Sequence, residues 1–298
     1  MESGSSSRTD SLPQALTSGS IMANALTVDV EEYYHVSAFE AVIKRSDWGT
    51  LPSRVEVSTR RVLEILGDAG VKATFFTLGM VAERAPKLLR DIVAQGHELA
   101  SHGYDHTRLP LLDRESLKQD LLRAKHGLED AAGAAVIGYR APSFSVGPAN
   151  LWALEIVRDT GHAYSSSIYP GRRDLYGFPG AQRFAHREQS SGLLEIPVST
   201  LRMFNRNWPC GGGGFFRLYP YQLTRWCFRR LNESERQPGV FYTHPWEFDL
   251  DQPRQTSVSA KSRFRHYHNL DKTAARLRCL LRDFQWRPMR EVFAAELH

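Results

Sequence analysis

Three carboxylates stand together directly after a short apolar segment near the start of the chain. The segment is Leu26–Val28, and Asp29, Glu31 and Glu32 follow it within four residues. Its β-branched and apolar residues predict a buried strand, in which residues i and i+2 point to the same side. Asp29 and Glu31 would then face one spot, where buried carboxylates need a cation or hydrogen-bond donors. The cluster therefore predicts either a metal or acid–base site or a solvated acidic loop after an edge strand.

Two histidines at a spacing of four follow a later apolar segment. His102 and His106 lie in the sequence Ser101–His106. Helical or turn geometry at this spacing places two imidazoles side by side, as metal sites with two histidines require. Together with a carboxylate they would form a two-histidine, one-carboxylate set with open coordination positions. Taken alone, the pair is equally compatible with two unrelated surface or capping histidines.

Two more candidates stand where strands are predicted to end. Arg140 precedes Ala141 and Pro142, and it either orients a carboxylate through a bidentate pair or is a surface residue before a turn. His244 follows the apolar segment Gly239–Thr243, and it is either a general acid or a buried structural histidine. The carboxylates Glu247 and Asp249 follow closely enough in the chain to polarise it.

Alternating strands and helices are predicted to position these residues. The apolar pattern predicts helices over residues 52–69, 82–96, 115–132, 219–231 and 272–284, and strands over 72–78, 97–102, 135–140, 193–200 and 239–244. This alternation predicts a parallel, barrel-like α/β fold in a single domain, whose catalytic groups gather at the carboxyl ends of the strands. Residues 161–190 are predicted to be a long loop, and Gly211–Gly214 a mobile or tightly turning loop beside the site.

Composition narrows the function classes. The chain has 298 residues, 42% of them hydrophobic and 24% charged, as is usual for a soluble globular protein. No apolar run reaches membrane-spanning length, residues 1–22 are Ser/Gly-rich and predicted to be disordered, and three widely spaced cysteines indicate reduced thiols. We therefore expect a cytoplasmic protein without a transmembrane segment. The net charge of +5 is spread over helix faces and predicts no nucleic-acid partner, and the oligomeric state stays open.

Seven motifs in order resemble a known family. They are TVDVE (27–31), SHGYDH (101–106), YRAPSFS (139–145), LEIPVST (194–200), GGGFFRLYP (212–220), FYTHPWE (241–247) and SRFRHYHNL (262–270). Together they resemble the polysaccharide deacetylases of the NodB-homology type (carbohydrate esterase family four). Among these the chain is most similar to the branch encoded with exosortase and PEP-CTERM exopolysaccharide systems, whose carboxyl-terminal part is the DUF3473 region. The resemblance extends over about Ala25–Phe293.

The resemblance implies a distorted seven-stranded (β/α) barrel and a role for each motif residue. Residues 23–298 would form the deacetylase domain, with roughly 200–298 as a family-specific extension packed on the barrel. The family roles are general base for Asp29, orientation of that base for Arg140, and general acid for His244. Zinc or another divalent metal would bind Glu31, His102 and His106, and Tyr34, Pro142 and Trp246 would contact the substrate.

One departure concerns the metal ligand. The commonest family motif has an aspartate directly after the base, where this chain has Val30, so Glu31 takes over that role in the prediction. The implied activity is the hydrolysis of N-acetyl groups on amino sugars of an exopolysaccharide or its lipid-linked precursor. Two alternatives are a cyclic-amide or ureide hydrolase and a catalytically silent carbohydrate-binding assembly protein.

Overall fold

The computed structural model describes residues 22–173 and 176–297, which carry short strands and helices in alternation. The strands of this part are β1 (Ala23–Val30), β2 (Thr74–Thr77), β3 (Glu98–Ser101), β4 (Gly138–Tyr139), β5 (Tyr164–Ser165), β6 (His186–Arg187), β7 (Leu194–Glu195), β8 (Thr200–Met203), β9 (Arg206–Pro209), β10 (Val240–Thr243) and β11 (Gln285–Arg287). Its helices are α1 (Val55–Asp68), α2 (Gly79–Arg84), α3 (Pro86–Ala94), α4 (Arg114–Ala132), α5 (Ala153–Asp159), α6 (Gly214–Leu218), α7 (Tyr221–Arg229), α8 (Ala260–Tyr267), α9 (Leu270–Asp283), α10 (Met289–Val292) and α11 (Ala294–Leu297). The predicted disordered tail, residues 1–22, lies outside the described residues except for Met22.

One curled sheet organises the fold. Its strands pair in the order β10-β1-β2-β3-β4-β5-β7-β6, and the seven strands from β10 to β7 are parallel. Strand β6 pairs antiparallel with β7, and β11 pairs with the first residues of β1. The prediction of an α/β fold with a distorted, seven-stranded barrel is confirmed. A single sheet joins both halves of the chain, because β10 pairs directly with β1.

The two faces of β1 have different environments because side chains alternate along a strand. Val28 and Val30 point to the helices and pack in an apolar cluster with Val62 and Leu66 of α1. Thr27 and Asp29 point to the interior of the curled sheet, which the polar site occupies. The alternation thus separates the apolar packing of β1 from its chemistry.

A buried glycine segment, Gly211–Gly213, pairs with β10. The backbone N–H of Tyr242 donates to the carbonyl of Gly211 at 2.7 Å, and the N–H of Gly213 donates to the carbonyl of Tyr242 at 3.1 Å. A Cβ on Gly212 would lie 1.9 Å from the Tyr242 oxygen, and its φ of +122° disfavours any other residue. The predicted loop is therefore a tight, buried turn, and Gly214 already begins α6.

Gly212→Ala should lower the free energy of unfolding by about 2–4 kcal/mol, because backbone strain and a steric clash add up at this position. Gly127→Ala is the matched control: Gly127 lies in α4 with open space around its Cα, and alanine there should stabilise by about 0.5–1 kcal/mol. Denaturant unfolding of both variants measures the difference. Equal stabilities would show that the glycine segment is not tightly packed.

Several predicted elements differ from the observed ones for local reasons. The helix predicted over 82–96 is two helices, because Pro86 has no N–H to continue α2 and instead begins α3. The predicted loop 161–190 contains β5 and β6, each only two residues long. The predicted strand 193–200 separates into β7 and the start of β8. Strands this short lack the periodicity that sequence patterns require.

Two simpler expectations concern the cysteines and membrane spans. Cys210, Cys227 and Cys279 are free thiols, as predicted. Across residues 22–173 and 176–297 no helix is long and apolar enough to cross a membrane. The cytoplasmic location stays a prediction.

Candidate active site

The register of the parallel strands brings the candidate residues to one edge of the sheet. Asp29 lies opposite Phe76 near the end of β1, and Val28 lies opposite Thr243, the residue before His244. On the other side, the N–H of His102 donates to the carbonyl of Thr77, and the N–H of Arg140 donates to the carbonyl of Ser101. The predicted gathering of these groups at the carboxyl ends of the strands is therefore observed.

Asp29 and Arg140 form a buried ion pair. Nη1 of Arg140 donates to Oδ1 of Asp29 at 2.6 Å and to Oγ1 of Thr27 at 2.7 Å. The other guanidinium nitrogens bind Ser166, with Nε donating to its carbonyl and Nη2 to its hydroxyl. The prediction of a bidentate pair is wrong, because the second nitrogen of Arg140 is engaged by the strand-end loop at Ser166. Oδ2 of Asp29 accepts no hydrogen bond from Arg140, so one oxygen stays available to a reactant.

Glu31, His102 and His106 converge in a buried cluster. Their ligand atoms all lie within 4.8 Å of one another, and Nε2 of His106 is 2.7 Å from Oε2 of Glu31. Nδ1 of His102 lies 2.8 Å from the Arg140 carbonyl, which can only accept, so this nitrogen carries the proton and Nε2 keeps its lone pair. The residues of the pair belong to a loop after β3 and not to a helix, with Gly103 and His106 in the left-handed region.

Val30 and Glu32 do not take part in this cluster. Val30 lies on the opposite face of β1 from Asp29 and is buried among apolar residues. Glu31 points to the same side of the chain as Asp29. It therefore reaches His102 and His106, which Val30 on the opposite face of β1 cannot do. Glu32 turns away and accepts hydrogen bonds from the N–H of Arg54 and the hydroxyl of Ser53 at the start of α1. Of the three carboxylates, two lie in the candidate site and the third accepts hydrogen bonds just before α1.

His244 faces the carboxylates from the opposite side. Its Nε2 lies 4.0 Å from Oδ2 of Asp29 and 3.8 Å from Oε1 of Glu31, and its side chain is 18% exposed. Its Nδ1 lies 2.8 Å from Oε1 of Glu247, which also accepts the His244 backbone N–H. The Trp246 ring stacks on the imidazole with 5.1 Å between centroids. The histidine is thus accessible, oriented and paired with a carboxylate.

A buried arginine completes the support of His244. Nε of Arg217, in α6, donates to Oε2 of Glu247 at 2.6 Å. The remaining guanidinium hydrogen bonds of Arg217 go to backbone carbonyls at the end of α8, those of Arg265, His266 and His268. Asp249, the other carboxylate considered for His244, pairs instead with Arg54 and Arg61. Arg217, Glu247 and His244 therefore form a continuous chain from α8 to the site.

These contacts set the protonation of the site. Burial alone would lower the pKa of His244, but the hydrogen bond with Glu247 and the charges of Glu31 and Asp29 raise it to about 9. Burial favours neutral Glu247, yet Arg217 and His244 bring the pKa of its carboxyl down to about 2. Burial lowers the pKa of His102 to about 4, which keeps the imidazole neutral as a ligand must be.

The same balance of burial and neighbouring charge determines the protonation of Glu31. Burial would raise the pKa of its carboxyl, but His106, His244 and His102 together hold it well below its usual range. Glu31 is therefore an anion in this environment, and three imidazoles surround it. His244 is protonated and His102 is neutral because only His244 has a buried carboxylate, that of Glu247, at its Nδ1.

Glu247→Gln should move the alkaline limb of the activity–pH profile to lower pH by about one to two units. The amide can still accept from Nδ1, but it removes the negative charge that holds the proton on His244. Asp249→Asn is the matched control, since Asp249 is equally buried but pairs with Arg54 and Arg61. It should leave the limb in place. A limb unchanged in Glu247→Gln, or moved equally in both variants, would contradict the pairing.

The three predicted substrate contacts are buried. Tyr34 packs against Trp48 and His35, and Trp246 lies between the rings of His244 and His266 while its Nε1 donates to Glu31. Pro142 is buried as well, close to Gly103. None of them offers an open face for a sugar ring, and the contact of these three residues with substrate stays a prediction.

Sequence reasoning missed Arg217, Ser166, Thr27 and His266. Each supports a candidate residue from a distant part of the chain: Arg217 lies thirty residues before Glu247, and Ser166 twenty-six after Arg140. A signal existed for Arg217 and His266, because both fall inside motifs of the family resemblance that had no assigned role. Thr27 likewise falls inside the motif TVDVE (27–31), whereas Ser166, in a segment predicted to be a loop, had no such signal.

Two family models match successive parts of the chain. Residues 47–165 match the polysaccharide deacetylase model, and residues 166–294 match the domain of unknown function DUF3473. The first range contains His102, His106 and Arg140, and the second contains His244 and the groups that support it. The candidate site is therefore composed of residues from both matched regions, together with the strand β1 that precedes them.

Curated relatives have similar sequences over part of their length. A chitooligosaccharide deacetylase of Sinorhizobium fredii is 31% identical over 114 residues, which is 38% of this chain and 50% of the relative. One from a Bradyrhizobium strain is 26% identical over 181 residues, which is 60% of this chain and 76% of the relative. The chain thus spans about half of the first relative's length and three quarters of the second's.

Solved structures share the fold. A polysaccharide deacetylase homologue from Mycobacterium smegmatis superimposes with a TM-score of 0.60 at 20% identity, covering 97% of this chain and 96% of the other. An allantoinase gives a TM-score of 0.58 at 15% identity, covering 93% and 92%. At these identities the likeness concerns the fold alone. The two sequence models, which together match residues 47–294, show that the chain combines a polysaccharide deacetylase region with a DUF3473 region.

Proposed function

We propose that this chain is a metal-dependent hydrolase that removes N-acetyl groups from amino sugars of an oligo- or polysaccharide. The observation that carries the proposal is the buried meeting of Asp29, held by Arg140, with His244 and the cluster Glu31–His102–His106. The named activities of relatives support the substrate class, since they are chitooligosaccharide deacetylases and a peptidoglycan-N-acetylglucosamine deacetylase of Bacillus cereus.

The Glu31–His102–His106 cluster fits a divalent metal, and zinc suits its ligands best. Two imidazoles and one carboxylate are the donor set of many hydrolytic zinc sites. The tautomer of His102 turns its free Nε2 lone pair away from the Arg140 carbonyl, and Glu31 is an anion held among imidazoles. A metal held there would supply Lewis-acid polarisation of the acetamide carbonyl and of water.

The residues around the cluster divide the proton transfers between them. Asp29, fixed through Oδ1, offers Oδ2 as the base that takes the proton of the attacking water. His244 is protonated through its pairing with Glu247, and its Nε2 faces the reaction space, where it gives the proton to the departing amine. The bond broken is the amide C–N bond, and the products are acetate and a free amino sugar.

The finer assignment to an exopolysaccharide or its lipid-linked precursor rests on the resemblance of the DUF3473 region to the branch encoded with exosortase systems. That region supplies His244, Glu247 and Arg217, so it contributes directly to the proposed chemistry. We propose that it belongs to the catalytic unit and is not an independent module. The boundaries predicted earlier, one domain over 23–298 with an extension from about residue 200, are retained as part of this proposal.

An acetate-release assay on oligomers of N-acetylglucosamine, with the protein loaded with Zn²⁺, tests the function. Free amines should appear in equal amount with acetate, and allantoin under the same conditions should stay intact. Opening of the allantoin ring without acetate release would instead establish the cyclic-amide or ureide hydrolase. Oligosaccharide binding with neither reaction and no bound metal would establish the silent binding protein.

A further inference from the structure

The hairpin formed by β8 and β9 has an unshielded aromatic residue at its tip. Met203 pairs with Arg206, so the connecting turn consists of Phe204 and Asn205 alone. Their φ values are +50° and +57°, a conformation that favours asparagine and glycine and disfavours a bulky side chain. The Phe204 side chain is 91% exposed and therefore contributes no packing within the described protein. Neither the turn nor the core of this chain accounts for a phenylalanine at this position.

The surroundings of the tip are basic and aromatic. Arg202 and Arg206 flank the turn and are exposed, and Trp208 further along β9 is 42% exposed. Within the part of the chain that the structure describes, no carboxylate pairs with either arginine. Two guanidinium groups, a phenylalanine tip and a half-exposed indole thus lie on ten residues, 200–209, which we name the basic hairpin.

The base of the basic hairpin is firmly attached to the fold. Leu201 is buried in an apolar cluster with Cys210 and with Cys227 of α7, and Met203 packs against the same cluster. The side chain of Asn207 donates to the carbonyl of Pro170 at 2.7 Å. The exposed tip is therefore presented by a fixed support, so that contact with a partner orders little additional chain.

We propose that the basic hairpin docks this protein on an anionic phospholipid surface. A phenylalanine at a projecting tip buries its ring at the boundary of the acyl chains, and an indole favours the headgroup level. Flanking arginines extend their charged ends to lipid phosphates while their stems cover apolar surface. From tip to base the hairpin presents Phe204, then Arg206 and Arg202, then Trp208. The net charge of +5 adds a general attraction to an anionic surface.

Charge favours this partner over a second copy of the chain. Two basic hairpins that met tip to tip would bring four arginines together, which like-charge repulsion opposes. An uncharged glycan would leave both guanidinium groups without an anionic partner. An anionic bilayer matches both the apolar tip and the positive flanks, and this agreement decides between the possible occupants.

Co-sedimentation of the full chain with vesicles tests the proposal without any need for catalysis. Binding to vesicles that contain phosphatidylglycerol should be strong at low salt and weaken as salt rises, and binding to pure phosphatidylcholine should be weak. Phe204→Asn, which also relieves the turn, should weaken binding about ten- to a hundredfold. Arg202→Gln combined with Arg206→Gln should weaken it about tenfold or more.

Leu250→Asn is the matched control. Leu250 is likewise an exposed apolar side chain, but it lies between Asp249 and Asp251, so its loss should leave vesicle binding unchanged. Wild-type binding in Phe204→Asn, or equal losses in Leu250→Asn, would overturn the proposal. A sedimentation-velocity shift from dimer to monomer in Phe204→Asn, without vesicle binding by the wild type, would overturn it in favour of a second copy.

Discussion

Replacing His102 with alanine should remove both the bound divalent metal and the deacetylase activity. His102 would supply one of three ligands, and its Nδ1 hydrogen bond to the Arg140 carbonyl fixes the direction of its free nitrogen. A remaining pair of one carboxylate and one imidazole binds a divalent ion far more weakly, because fewer donors converge. Metal content after dialysis, measured by plasma mass spectrometry, together with acetate release, gives the answer.

Two additional variants make this result specific. His106→Asn should lose the metal as well, and asparagine tolerates the left-handed backbone at this position, where φ is +63°. His186→Ala removes a histidine on β6 outside the site and should retain metal and activity. Unchanged metal content in His102→Ala would show that His102 is not a ligand.

Replacing His244 with alanine should keep the fold and the bound metal while lowering kcat by roughly 10²–10⁴-fold, the usual contribution of a positioned general acid. The imidazole lies opposite the cluster, with Glu247 at Nδ1 and the reaction space at Nε2. Its loss leaves the departing amine without a proton donor but leaves Glu31, His102 and His106 in place. Steady-state kinetics and metal analysis of the same preparation separate these effects.

The size of the loss decides the role of His244. Rates close to those of the wild type would mean that the histidine is structural and that another group protonates the amine. Loss of metal together with activity would mean that His244 supports the cluster. Only a large loss of kcat with full metal content agrees with a general acid.

The strand ends were the part of the site that the sequence could predict. Asp29, His102, Arg140 and His244 each follow an apolar segment, and parallel strands place such positions at one edge of the sheet. The placement of Glu31 on the same side as Asp29 followed from the period of two along β1, which also explains why Val30 faces the apolar core. These inferences need only local periodicity and the rule for parallel sheets.

The supports of these residues could not be predicted in the same way. Arg217 reaches Glu247 because α6 begins directly after the buried glycine segment, and this depends on packing against Tyr242. The single hydrogen bond between Arg140 and Asp29 depends on Ser166, in a region predicted to be a loop. The burial of Tyr34 and Trp246 likewise depends on tertiary neighbours. Partners distant in sequence leave no periodic pattern for a single sequence to reveal.

We propose that Asp29 acts as the catalytic base in a metal-dependent deacetylation. The most direct test is the amount of acetate released from an N-acetylglucosamine oligomer by Zn²⁺-loaded wild type and by Zn²⁺-loaded Asp29→Asn, a nearly isosteric change that keeps an acceptor for Arg140. We expect acetate and free amine in equal amounts from the wild type, and at least about a hundredfold less from Asp29→Asn at equal metal content. Acetate release by Asp29→Asn at the wild-type rate would show that Asp29 is not the catalytic base.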